Sequence, residues 1–116
     1  MLRESGKIDG REYQLAGAID AAVDSGVEHG RELVEFTAAV ANGDDKALLA
    51  ARSTLVEKMD PGAVVSASLI AANFSMLDRI ANAIGVSLDE MMLKGSEDIR
   101  ESLGINAYPS AANSIG

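Results

Sequence analysis

His29 is the only histidine in the chain, and the only side chain here whose ordinary pKa lies near neutrality. It follows Glu28 and precedes Gly30-Arg31-Glu32. A carboxylate that orients an imidazole makes a general acid–base pair, so His29 with Glu28 or Glu32 is the candidate catalytic group. Adjacent residues do not share a helix face, which speaks against the Glu28–His29 pair. Read without chemistry, the same residues are a surface histidine near a helix start. Glu28, Glu32 and Glu35 are then the solvated acidic edge of that helix.

Other residue types set limits. The chain has no cysteine, which removes disulfides, thiolate nucleophiles, redox thiol pairs and thiolate metal sites. A single histidine cannot build a multi-histidine zinc site within one chain. There is no glycine-rich phosphate loop, no G-x-S-x-G and no metal-ligand spacing, so neither a metal nor a cofactor is expected. Met59, Met76, Met91 and Met92, with Phe74, are candidates to line a pocket for a small apolar ligand, or else to fill a core or an interface. Asp78-Arg79, Asn73 and Ser75 lie inside an apolar run and need partners wherever they are covered.

The 116 residues amount to one domain, with 18 acids against 10 bases and a formal net charge of -8. That acidic balance speaks against nucleic acid as a partner. The stretch from Val64 to Ile84 is apolar but interrupted by serines, Asn73 and Asp78-Arg79, so no membrane span is expected. The leading residues lack the apolar core of a secretory signal. The expectation is a soluble, cytoplasmic protein.

The elements that must position these residues read as all-α. Residues 1–8 are expected to be frayed, and residues 9–58 to hold three helices. The first starts at Asp9, with Glu12 as its reciprocal cap, and shows Leu15, Ala18, Ile19, Ala22 and Val23 at helical spacing as far as Gly26. Gly17 within it suggests close approach of a neighbouring helix. The second runs from about Gly30 to Ala41, ended by Asn42-Gly43. The third is capped by Asp44 or Asp45 and ends near Lys58. Asp60-Pro61-Gly62 opens a fourth helix over 61–84, stopped by Gly85. Short helices follow over 87–103, the first capped from Ser87 and the second from Ser96, and 104–116 is an irregular tail.

The helix over 61–84 is apolar around most of its circumference, which predicts that it is central and covered on several sides. The expected fold is a single compact helical bundle of about four to six helices around that helix. A chain this short leaves part of it bare, so a homo-oligomer is expected.

Residues 71–91, AANFSMLDRIANAIGVSLDEM, carry a family resemblance. They look like the last long helix and following turn of the alkylhydroperoxidase D-like / carboxymuconolactone decarboxylase-like superfamily. Phe74, Arg79, Ile80, Ala81, Gly85, Val86, Leu88 and Asp89 match its pattern, while Ser75 and Asn82 depart from it. Residues 33–70 resemble the preceding segment, so the resemblance covers the C-terminal two-thirds. It implies an all-helical subunit assembling into dimers, trimers or hexamers. The family's thiol peroxidase branch uses a Cys-x-x-Cys pair, which this chain lacks. Its decarboxylase branch implies a histidine and a carboxylate on earlier helices, where only His29 is present. The leading 30 or so residues are short for the family's active-site helix, so the resemblance implies a truncated or degenerate member that kept the oligomerising half.

Three readings follow. The first is a non-catalytic helical oligomer of that superfamily. The second is a cysteine-independent decarboxylase or isomerase using His29 with Glu28 or Glu32. The third is a protein that binds a small apolar ligand.

Overall fold

The computed structural model describes residues 2–115, with side chains from Gly6 to Ser114. The described residues are all helix, turn and loop, without a strand. They form seven α-helices, more than the four to six expected: α1 (Leu2–Asp9), α2 (Gly30–Asn42), α3 (Asp45–Lys58), α4 (Pro61–Ile84), α5 (Glu90–Gly95), α6 (Glu97–Ser102) and α7 (Ala112–Ile115). The chain divides into two compact units rather than one bundle, the first reaching Ala72 and the second starting at Asn73.

The N-terminal expectations need correction. Within the expected frayed segment 1–8, the described residues are helical: α1 occupies Leu2–Asp9. Asp9 ends this helix instead of opening the next. Gly10 takes the left-handed conformation, φ 67°, that a helix C-terminus favours, and the Arg11 N–H donates to the Gly6 carbonyl at 2.8 Å.

The helix expected from Asp9 to Gly26 does not form. Only a 3-10 turn at Leu15–Ala18 stands there, so residues 9–58 hold two α-helices rather than three. The cause is local competition for backbone N–H groups. Asp20 Oδ1 accepts from Ala22 N, Asp24 Oδ1 from Gly26 N and Ser25 Oγ from Val27 N, at 2.9, 2.9 and 3.2 Å. Gly17 does mark a close approach, but to a loop and not to a helix. A Cβ there would lie 2.6 Å from Ser25 Cβ and 2.7 Å from Ser25 Cα.

From α2 onward the caps decide the boundaries. The short Gly43-Asp44 link folds α3 back onto α2, the most extensive pairing of elements in the chain. Asp44 accepts from the N–H groups of Lys46 and Ala47, both at 3.0 Å. The buried apolar side chains are Phe36 and Ala39 of α2 and Leu55 of α3, with Phe36 at 1% and Leu55 at 0% exposure.

Helix α4 starts and ends where expected. Asp60 Oδ1 accepts from Ala63 N at 2.9 Å, and Pro61 takes the first helical position. Its burial differs from expectation: α4 has no buried residue, so within one chain it is not the covered centre of a bundle. Leu69 is 67% and Ile84 71% exposed.

In the second unit Asp89, not Ser87, caps α5, its carboxylate accepting from Met92 N at 2.8 Å. Ser87 is displaced from that role because Leu88 N is engaged by the Ser114 carbonyl at 3.0 Å, which holds the chain extended before Asp89. The tail expected to be irregular instead forms 3-10 turns at Ile105–Ala107 and Pro109–Ala111, followed by α7.

Candidate functional site

The link into α2 positions His29. Gly30 N donates to the Val27 carbonyl at 2.9 Å, closing a turn in which His29 has φ 55°. It is the one non-glycine described residue with positive φ. Histidine is enriched among the few residues that tolerate this conformation, which for an L-residue carries a cost of about 1–2 kcal/mol. The Arg31 guanidinium holds the same corner from the other side, Nε donating to the Ala21 carbonyl at 3.0 Å.

This geometry leaves the predicted acid–base residues without a hydrogen bond between them. His29 Nε2 lies 3.7 Å from Glu28 Oε1, beyond hydrogen-bond distance. The Glu28 side chain is 91% exposed and that of His29 31%, so solvent competes for the carboxylate and nothing fixes the imidazole against it. Glu32 sits in the first turn of α2, where a carboxylate complements the helix dipole. No hydrogen bond or ion pair joins it to His29 or Glu28. The structure therefore brings Glu28 and His29 near one another without orienting them, and leaves Glu32 outside the pair. Among the described residues there is no group of three or more His, Asp or Glu side chains that could hold a metal ion.

The methionines do not enclose a cavity. Met59, Met76, Met91 and Met92 are all exposed, Met91 to 77%. In the first unit an open apolar hollow of about 370 Å³ lies between the 3-10 turn at Ala18-Ile19 and the Leu33, Val34 and Thr37 side of α2.

The second unit contains a cleft that the sequence did not announce. It is open, has a volume of about 380 Å³, and is lined by Asp78, Asn82, Arg100, Tyr108 and Ser114 among others. Arg100 is fully engaged in holding it together. Its Nε donates to Ser96 Oγ (3.1 Å), Nη1 to Asn106 Oδ1 (2.9 Å) and Nη2 to the Leu93 carbonyl (2.7 Å). Asn113 Nδ2 donates to Asn82 Oδ1 at 2.5 Å and ties the tail to α4. The i, i+3, i+4 set Asp78, Ala81 and Asn82 was readable as one helix face. The aperiodic tail gave no sign that Tyr108 and Ser114 would return to it.

The largest chemically uniform feature is the bare face of α4. By length and composition this helix is long and apolar enough to cross a bilayer. It carries a single acid and a single base, Asp78 and Arg79; both are exposed and neither has an ion-pair partner among the described residues. No protein-family model, curated protein or solved structure matches this chain.

Proposed function

We propose that the chain is a non-catalytic, all-helical subunit that assembles with copies of itself through α4. In this reading it is a degenerate relative of the alkylhydroperoxidase D-like / carboxymuconolactone decarboxylase-like superfamily, without thiol chemistry. The observation that carries the proposal is the absence of any buried residue in a 24-residue apolar helix. Among its described residues, the second unit, from Asn73 onward, contains no buried one. A unit of that size with no core of its own needs a disulfide, a metal or an oligomeric partner. The chain has no cysteine, and its described residues hold no metal-binding cluster.

The magnitudes permit assembly. Full burial of a large aliphatic side chain is worth about 1.5–3 kcal/mol, so covering the exposed half of one contributes roughly 1 kcal/mol. Val65, Leu69, Ile70, Met76, Ile80 and Ile84 are all exposed. Two copies together supply roughly 12 kcal/mol, against an association cost of about 4–15 kcal/mol. The gain and the cost are of the same order, so a contact along most of α4 is needed for two copies to associate. The acidic charge of -8 does not oppose it locally, because Asp78 and Arg79 cancel within the helix.

A bilayer is a poorer partner for the same surface. Asp78 and Arg79 lie about 8–10 Å from the midpoint of α4, still within a hydrocarbon core of about 30 Å, so each opposes insertion, at a cost below the about 2.5–3.5 kcal/mol of the bilayer centre. The His29 reading is weaker because the pair lacks an orienting hydrogen bond. Sedimentation velocity at micromolar concentration tests the assembly: a mass at least twice 12.1 kDa is expected, and a monomer contradicts the proposal.

A further inference from the structure

The bare face of α4 has very few polar groups, and one of them sits where a second copy can use it. Ala63, Val64, Ala67, Ser68 and Ala71 are half-buried and mark the side of α4 turned toward its own unit. Away from that side, Ser66, Leu69, Asn73, Met76, Ile80 and Ala83 follow one another by alternating steps of three and four residues. That spacing keeps a seam on one side of a helix. Asn73 stands at its middle, with 12 helical residues before it and 11 after. Its side chain is exposed and makes no hydrogen bond among the described residues.

An amide in the centre of an apolar seam loses its water when the seam is covered, and most partners return nothing for it. Lipid tails have neither donor nor acceptor to offer. A second copy of this chain does, because asparagine carries two N–H donors and a carbonyl acceptor and so complements itself. A two-fold axis at mid-helix sets Asn73 beside the same residue of the other copy, each Nδ2 donating to the other Oδ1. A slip of one turn would instead place the amide against Leu69 or Met76 with no partner.

The geometry points to Asn73 as the residue that sets the register of an α4–α4 homodimer, its amide hydrogen-bonded to its own copy where the two helices cross. This rests on the assembly reading above and adds the location of the axis. A single asparagine in an apolar seam gives up affinity and gains a unique alignment.

The absence of native cysteine makes the test direct. Asn73→Cys, Val65→Cys and Ile84→Cys are each introduced into the full chain and oxidised with copper–phenanthroline. Helix content is followed by circular dichroism and mass by sedimentation. A disulfide needs Cβ atoms within about 4.5 Å, so Asn73→Cys is expected to link into a dimer roughly tenfold faster than either variant near the helix ends. Asn73→Leu is expected to associate at least as tightly as the parent while spreading over more than one species. Val65→Cys or Ile84→Cys linking as fast as Asn73→Cys, in a parent of dimer mass, overturns the register assignment and leaves the assembly standing. If Asn73→Cys loses its helix content, a single discrete Asn73→Leu dimer overturns the assignment instead. A monomeric parent, or one that sediments with phosphatidylcholine vesicles in place of dimerising, overturns both.

Discussion

At the residue scale, the position that looked most like chemistry is better explained by backbone geometry. His29 was conspicuous in the sequence because it is the only histidine and has carboxylates nearby. Sequence spacing could not show that a turn holds it at φ 55° with its imidazole 3.7 Å from a solvated carboxylate. If His29 is a turn residue, His29→Gly removes the left-handed penalty. Chemical denaturation should then show the protein unchanged or more stable, by up to about 1 kcal/mol. His29→Val should lose about 1–2 kcal/mol, since β-branching is least tolerant of positive φ. A large loss in His29→Gly would mean that the imidazole itself makes a contact that matters. Gly17 gives the opposite case. Gly17→Ala drives a methyl to within 2.6–2.8 Å of Ser25 atoms, backbone included, and should cost about 1–3 kcal/mol in the same measurement.

At the element scale, legibility followed the caps. Asp44 with Gly43, and Asp60-Pro61 with Gly85, fixed α3 and α4, because a side chain that satisfies a helix end is a local signal. Residues 9–26 misled because Leu15, Ala18, Ile19, Ala22 and Val23 imitate a helix stripe. Two short polar side chains, those of Asp20 and Asp24, take backbone N–H groups such a helix needs, and Ser25 holds Val27 N just beyond it. The cleft of the second unit was illegible for a different reason. Its tail is held by Arg100 donating to Asn106 and by Asn113 donating to the distant Asn82, and these bonds leave no periodic trace. Arg100→Ala removes three hydrogen bonds at once, one of them to Asn106 in the tail. Amide hydrogen exchange across residues 104–114 should accelerate by at least tenfold, corresponding to about 1.4 kcal/mol of local stability, while α2 and α3 keep their protection. Uniform acceleration over the chain would instead indicate that the two units unfold together.

At the scale of the whole molecule, the all-α class was readable from periodicity, but the place of α4 was not. A helix apolar around most of its girth looks the same in sequence whether its own chain or another copy covers it. The large apolar side chains from Val65 to Ile84 are exposed in one chain, and a partner that covered them would determine how the protein responds to salt. Each copy carries a charge of -8, so assembly through α4, as proposed, would bring like charges together around a contact that is itself nearly neutral. Raising ionic strength from about 0.01 M to about 1 M shortens the Debye length from about 30 Å to about 3 Å, which removes that repulsion and leaves apolar burial intact. Sedimentation equilibrium should therefore show tighter association at high salt. An interface built on ion pairs would loosen over the same range. The paired variant Leu69→Glu/Ile80→Glu places carboxylates in the seam itself, where screening cannot offset their desolvation. It should stay monomeric at both salt concentrations with the helix content of the parent. Salt-insensitive assembly of that variant would place the contact on another surface.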